Sequence, residues 1–206
     1  MENASVPGIY EIGSNIGPPM KVFCDFDFSS NISWTLVNSY YFQNNNIFKR
    51  KPFFRDRAFM EDTPNFETYR MSLARMLELK NSSRLWKASC NYETAPRTTR
   101  DTIIGSFERR DLFFSDGGLP KTCSEIMFIN IRGFLCTKPV CRVRLRTNKM
   151  FTPFVSVSNS RFCGFEPTTN GSEQAFGGYD DYNPEFSCVS HPHSSTHWWF
   201  GDRIDK

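Results

Sequence analysis

The sequence predicts an α+β fold made of short antiparallel strands and one packed helix. Apolar strands flank a turn rich in glycine and proline within residues 7–37. Apolar residues repeat at helical spacing over residues 67–80, and residues 141–146 alternate strictly between apolar side chains and arginine. We expect a small N-terminal antiparallel sheet, a central sheet packed by the helix, and a loop-rich C-terminal region.

Length and composition favour a single domain with a sizeable core. The chain has 206 residues, and 21 phenylalanines help to offset a low apolar content of 39% because each aromatic ring buries a large area. We predict one domain, residues 1–206, with an N-terminal subdomain (1–40), a central subdomain (41–160) and a C-terminal subdomain (161–206). The net charge of +3 is too mild to indicate nucleic-acid binding by itself.

The N-terminal subdomain begins with two strands at residues 7–12 and 20–25, and a third strand starts at Trp34. Glycines and prolines between the first two strands mark a turn. Residues 48–59 then mix phenylalanine with lysine and arginine. Such a mixture can bind nucleic acid by stacking and charge, or it can form a surface loop anchored by inward phenylalanines. The extracellular signals described below favour the loop.

The predicted helix spans residues 67–80. Glu67 at its start and Lys80 at its end suit the helix dipole. Asn81 follows as a candidate C-cap and as the acceptor of a glycosylation sequence. The residues at helical spacing are Tyr69, Leu73, Met76, Leu77 and Lys80.

Three later segments also predict strands, at residues 86–90, 126–131 and 141–146. In the last of these, one face carries Cys141, Val143 and Leu145, and the other carries Arg142, Arg144 and Arg146. The arginine face suits either sulfated or sialylated glycans or a solvated face that protects a sheet edge.

Cysteines and glycosylation sequences indicate an oxidising, extracellular setting. Seven cysteines are scattered along the chain without a Cys-x-x-Cys pair, which favours disulfides over zinc ribbons or redox sites. Cys136 and Cys141 are close enough in sequence for a local bridge. The chain also has four Asn-x-Ser/Thr sequences, at Asn3, Asn31, Asn81 and Asn170. These glycosylation sequences give weak support for secretion.

Met1 is followed by polar residues, without the apolar core of a signal peptide. No segment approaches the roughly 20 apolar residues of a membrane span. We therefore expect a domain of a longer secreted or membrane-anchored protein.

Two segments resemble the fibrinogen-related domains. Residues 7–37 place Gly8-Ile9-Tyr10 before Phe23-Cys24-Asp25 and then Trp34-Thr35, which is similar to the strand order at the start of that family; intelectins share this pattern. Residues 176–201, with their acidic loop and tryptophan pair, resemble the family's C-terminal region. The chain departs from the family by having Ile32-Ser33 before Trp34 and no cysteine after the tryptophans.

The resemblance implies a calcium site in the acidic loop, with Asp180, Asp181 and Asn183 as ligands. Calcium prefers six to eight oxygens from carboxylates and carbonyls on a flexible loop. The alternative is a turn rich in Asp and Asn whose carboxylates are solvated.

The resemblance also implies a ligand pocket lined by aromatic residues near the end of the chain. Neighbouring tryptophans in a strand point to opposite faces, so one could contact a ligand while both could instead pack against loops. The predicted ligand-binding residues are Tyr179, Tyr182, His197, Trp198 and Trp199.

Other chemistry has less support in the sequence. His191, His193 and His197 could suggest zinc, but no cysteine or carboxylate stands at ligand spacing, which favours a polar loop. No hydrolase or phosphate-loop motif occurs, so we predict a protein without enzymatic activity.

The resemblance implies that Cys24 bonds a cysteine upstream of this chain. Cys24 would then be free here, which leaves six cysteines for three bridges. We predict the pairs Cys136–Cys141, Cys163–Cys188 and Cys90–Cys123.

The function implied by the resemblance is extracellular, non-enzymatic recognition of a glycan or an acetylated ligand, assisted by calcium, in immunity or adhesion. Oligomerisation through segments outside this chain would add avidity. The alternative is an adhesion or receptor ectodomain that binds a protein partner and has no glycan pocket.

Overall fold

The structure, a computed structural model, describes residues 6–115, 122–167, 174–180 and 182–204. The strands are β1 Gly8–Ile12, β2 Met20–Asp27, β3 Ile32–Tyr41, β4 Thr68–Arg70, β5 Leu85–Cys90, β6 Thr102–Ser106, β7 Ser124–Ile131, β8 Phe134–Val143, β9 Leu145–Arg146, β10 Phe154–Ser156, β11 Gln174–Ala175 and β12 Ser195–Arg203. The helices are α1 Asn45–Phe48 and α2 Leu73–Asn81, with 3₁₀ turns at Phe42–Asn44 and Ser158–Cys163.

Most strands belong to one nine-stranded sheet. Its order is β1-β2-β3-β12-β5-β6-β7-β8, with β4 paired to β3 beside this path, and all of these pairs are antiparallel. A second sheet has the order β11-β10-β9. A sheet-rich fold with few helices is therefore confirmed, whereas the fibrinogen-like topology stays a prediction.

The C-terminal strand β12 occupies the centre of the large sheet. It pairs with β3 on one side and with β5 on the other. One prediction is wrong as a result: the N-terminal strands do not form a separate small sheet but belong to the large one. The described part of the loop-rich C-terminal subdomain contains the short β11 and the long β12. The sequence of β12 suits a central position because Trp198 and Trp199 can bury apolar surface on both faces of the sheet.

The predicted helix starts later than expected. Thr68–Arg70 forms β4 against β3, and the helix begins at Leu73 after Ser72, whose Oγ accepts a hydrogen bond from the Arg75 amide at 3.4 Å. Pairing with β3 therefore outweighs the helical spacing that includes Tyr69. The strands predicted near Pro7, Met20, Trp34, Trp86 and Ile126 are confirmed.

The basic and aromatic segment at residues 48–59 is a loop with inward anchors. Phe48 and Phe53 are fully buried, whereas Arg55 and Arg57 are exposed. The ring of Phe53 packs against Trp198 with 5.4 Å between ring centroids. This arrangement supports the surface-loop interpretation of the segment.

The three disulfides confirm one predicted pair and correct two. Cys136 bonds Cys141 as expected, whereas Cys90 bonds Cys188 and Cys123 bonds Cys163. Cys24 is free, and burial raises the pKa of its thiol to about 11. No helix among the described residues is long and apolar enough to cross a membrane.

Replacing Gly201 should destabilise the centre of the sheet. The Trp34 ring lies directly over Gly201, so an added Cβ would overlap this ring and would lie 2.6 Å from the Ser33 carbonyl oxygen. We expect Gly201→Ala to lower the free energy of unfolding by about 1–3 kcal/mol, measured by urea denaturation. Gly17→Ala is the matched control because nothing lies within 4 Å of its Cβ position, and equal losses in both variants would contradict the close approach.

The disulfides with the longest and the shortest sequence separation should contribute differently to the free energy of unfolding. Cys90–Cys188 closes a separation of 98 residues and Cys136–Cys141 one of 5. Loop entropy predicts about 5 kcal/mol for the long bridge and about 2 kcal/mol for the short one. We expect double alanine replacement of the long pair to cause the larger fall in thermal midpoint; a larger fall for the short pair would contradict this assignment.

Candidate functional site

The aromatic residues predicted to contact a ligand are mostly buried. Tyr179, Trp198 and Trp199 are fully buried, and only Tyr182 is exposed, at 57%. The Tyr179 hydroxyl is 2.8 Å from Thr196 Oγ1, and the Trp198 ring nitrogen donates to the Phe176 carbonyl at 3.0 Å. These side chains hold the interior together, and the predicted outward-facing tryptophan is not found.

His197 belongs to a buried polar network. Its Nδ1 lies 2.7 Å from Ser39 Oγ, and its Nε2 lies 2.7 Å from Ser195 Oγ and 3.1 Å from Glu93 Oε2. The Ser39 hydroxyl also donates to the Phe66 carbonyl at 2.7 Å, and the Ser195 hydroxyl donates to Glu93 Oε2 at 2.9 Å. Burial lowers the pKa of His197 and outweighs the opposing effect of Glu93.

Two of the three predicted calcium ligands, Asp180 and Asn183, lie within the described residues, and each has a partner elsewhere in the chain. Asp180 is exposed and forms an ion pair with Lys49 at 3.7 Å, while Asn183 is buried and its Oδ1 accepts from the Glu185 amide at 3.0 Å. Asp181 lies outside the described residues. Within the described ranges no cluster of three His, Cys, Asp or Glu side chains could hold a metal ion. Calcium binding in this loop stays a prediction.

The predicted zinc residues are also separated by burial. His191 and His193 are exposed on the turn before β12, whereas His197 is fully enclosed within the sheet. Their different surroundings favour the polar-loop interpretation for the first two histidines.

A cavity on the sheet face opposite Trp198 is the strongest candidate site. It has a volume of about 340 Å³ and lies over β3, β5, β6 and β7, beneath the loop of residues 91–101. Its apolar side is formed by Ile32, Trp34, Ile104, Met127 and Phe128, and its charged side by Asp27, Lys87, Arg97 and Arg100.

Lys87 is the central cation of this site. Its ammonium lies 4.5 Å from the ring centre of Trp34 and 4.9 Å from that of Trp199. The nearest carboxylate atom, Asp25 Oδ2, is 3.6 Å away, which is too long for a hydrogen bond. Lys87 is 8% exposed and forms an ion pair with Asp25 at a separation beyond hydrogen-bond distance.

Strand register explains how the two indoles reach Lys87. Trp199 is the direct neighbour of Lys87 across the β12–β5 pair, while Trp34 pairs with Gly201 one strand farther away. Because Gly201 has no side chain, the Trp34 ring can lie over it and extend to the ammonium. A single glycine in β12 thus completes the aromatic enclosure.

One arginine attaches the covering loop to the sheet, and a second stabilises the loop itself. Arg97 donates to Asp25 Oδ1 at 2.8 Å and pairs with Asp27 at 3.0 Å. Arg100 donates to the carbonyl oxygens of Ala95 and Tyr92, both at 2.6 Å, and its guanidinium stacks on the Tyr92 ring. Arg100 has no carboxylate partner within the described part of the chain.

Burial makes the Lys87 ammonium unusually acidic. Desolvation lowers its pKa to about 7, although the charge of Asp25 acts in the opposite direction. The amine therefore changes charge near neutral pH. A ligand that brings an anionic oxygen into the cavity would supply the missing acceptor and favour the charged form.

Sequence patterns did not identify this site. Lys87 alternates with Trp86 and Ala88 in β5, and such a lysine normally marks a solvated face. Its burial depends on Trp34, Trp199 and the loop at residues 91–101, which are distant in sequence. The sequence around Asp25 likewise does not indicate a partner for Lys87, because Asp25 reaches the site only when β2 pairs with β3.

Neutralising Asp25 should expose the cost of burying Lys87. In Asp25→Asn two cations lose their shared carboxylate, so we expect a loss of about 3–5 kcal/mol in the free energy of unfolding at pH 6. The loss should shrink at pH 9, because Lys87 is then neutral in the folded protein. Asp202→Asn is the control, since it disrupts a pair with the largely exposed Arg84 and should cost about 1 kcal/mol or less. A pH-independent loss would contradict the role of Lys87.

Comparisons with known proteins identify no family for this chain. No protein-family model matches it, and neither a curated protein nor a solved structure matches it. The resemblance to fibrinogen-related domains therefore stays a prediction, and functional inference depends on the geometry of the site.

Proposed function

We propose that this protein is an extracellular, non-enzymatic recognition domain that binds an acidic glycan in the cavity at Lys87. Three disulfides support an oxidising compartment. The glycan preference follows from the combination of cations with a half-exposed apolar side, since a sugar ring presents both hydroxyl groups and an apolar C–H face.

The observation that carries this proposal is the Lys87 ammonium, which lies at the wall of an open cavity and 3.6 Å from Asp25 Oδ2, beyond hydrogen-bond distance. Burying a charge is costly unless it is hydrogen-bonded, and Asp25 Oδ2 accepts no hydrogen bond from the described residues. A carboxylate or sulfate in the cavity would accept from Lys87, with Arg100 contributing a second nearby positive charge. Charge-assisted hydrogen bonds of this kind are stronger than neutral ones.

A second groove supports a ligand longer than one sugar. It has a volume of about 690 Å³ and adjoins the Lys87 cavity through Ser30, Ile32 and Met127, which line both. Arg84, Arg109 and Arg203 line this groove together with Glu108 and Asp202; Arg84 pairs with Asp202, and Arg109 pairs with Glu125. The two spaces together would accommodate a chain of several sugar residues across the sheet face.

The contacts of the carboxylates at this site favour a role in ligand recognition over a role in catalysis. Asp25 is held by Arg97 and Lys87, and Asp27 accepts hydrogen bonds from Ser29 and pairs with Arg97. Both carboxylates therefore act as ion-pair partners that position the loop, and this arrangement supports a fixed binding surface.

Removing the Lys87 charge should weaken binding of acidic sugars. We expect titration of the tryptophan fluorescence with sialic acid and glucuronic acid to show saturable binding, because Trp34 and Trp199 flank the ammonium. Lys87→Met should weaken it by roughly ten- to a hundredfold, the equivalent of about 1.5–3 kcal/mol for a charged hydrogen bond. Affinity of the unaltered protein should also fall roughly tenfold between pH 6 and pH 8 as the ammonium deprotonates.

Lys21→Met is the matched control because Lys21 is exposed on β2 and lies outside the cavity. N-acetylglucosamine, which carries no charge, should bind far more weakly than the acidic sugars. Thermal unfolding would establish that both variants are folded. Equal affinity of Lys87→Met and Lys21→Met, or no binding of either acidic sugar, would refute the proposal.

A further inference from the structure

A separate apolar groove lies between α2 and the turn that joins β1 to β2. It has a volume of about 670 Å³ and includes Ile12, Ile16 and Leu77. Ile16 is 57% exposed and Leu77 is 39% exposed, so two large apolar side chains face solvent at the same place. An exposed apolar patch of this kind commonly marks a surface that is covered.

The two sides of the groove are held together by Glu78. Its carboxylate accepts hydrogen bonds from the Ser14 hydroxyl at 2.7 Å and from the Asn15 amide. These contacts attach the β1–β2 turn to the helix. The groove therefore exists before anything binds to it.

Asn81 lines the groove and is the last residue of α2. It is exposed, and with Ser82 and Ser83 it forms an Asn-x-Ser acceptor sequence. By contrast, Asn31 is half-buried, has a φ of 56°, and donates its side-chain amide to the Ile204 carbonyl at 2.9 Å. Of the two acceptor asparagines within the described residues, Asn81 is the accessible one; Asn3 and Asn170 lie outside them.

We propose that Asn81 carries an N-linked glycan whose first N-acetylglucosamine residues lie in this groove against Ile16 and Leu77. In the modification, Asn81 Nδ2 forms a bond to C1 of the sugar. The bond between C1 and the diphosphate of a lipid-linked oligosaccharide breaks, the lipid diphosphate leaves, and the amide proton passes to the transferase. The proposal depends on passage through a secretory compartment and does not depend on the ligand proposed for the Lys87 cavity.

The glycan is the favoured occupant because its point of attachment lies on the groove itself. A tethered group has an effective concentration in the millimolar range, so even weak contacts with the groove become populated. The C–H face of N-acetylglucosamine suits the two exposed apolar side chains, and its polar groups can reach Glu78 and Asn15 at the edge of the groove.

The test begins with protein secreted from a eukaryotic host and analysed by glycopeptide mass spectrometry. We expect higher glycan occupancy at Asn81 than at Asn31, and loss of the Asn81 glycan in both Asn81→Gln and Ser83→Ala. An unmodified Asn81 in the secreted protein would overturn the proposal.

Contact with the groove is tested by the rate at which an endoglycosidase releases the glycan from folded protein. The variant Ile16→Ser/Leu77→Ser keeps the acceptor sequence but removes the apolar contacts, and we expect at least a threefold faster release. Exposed positions rarely affect folding, and equal release rates after denaturation would show that the two glycans are equivalent. Equal rates from the two folded proteins would overturn the placement of the glycan in the groove.

Discussion

The pairing of β12 with β3 and β5 is the constraint on which the rest of the structure depends. It joins segments that are far apart in sequence; His197 and Ser39, for example, are separated by 158 residues. Without this strand, β1–β3 and β5–β8 would not belong to one sheet. Because closing so long a loop is entropically costly, the Cys90–Cys188 bridge is well placed to restrict the chain just before β12 begins.

The same central strand explains why a lysine can be buried opposite the tryptophan-rich core. Trp198 packs on one face of the sheet against Phe53 and Trp86, while Trp199 lies on the other beside Lys87. Two indole rings and the carboxylate of Asp25 partly replace water around the ammonium. No described residue accepts a hydrogen bond from this ammonium at ordinary distance, and for this reason we propose an anionic ligand for the cavity.

The Lys87 cavity and the Asn81 groove use different elements of the fold. The cavity is formed by strands of the large sheet and the loop at residues 91–101, whereas the groove is formed by α2 and the β1–β2 turn. None of the lining residues is common to both. A glycan on Asn81 would therefore cover apolar surface and leave the proposed ligand site at Lys87 accessible.

The amino-acid sequence by itself determined the local elements and the polarity of their faces. Alternation and turn residues located β1, β2 and β3, and the pattern at residues 141–146 correctly separated Cys141, Val143 and Leu145 from the arginines. Tertiary structure alone decided which strands, cysteines and side chains lie next to one another. Strand pairing converted Thr68–Arg70 from helix to strand, set two of the three disulfides, buried Trp198 and Trp199 together, and enclosed Lys87. These outcomes depend on contacts between segments that are distant in sequence. The free energies of such contacts cannot be derived from a local pattern of residues.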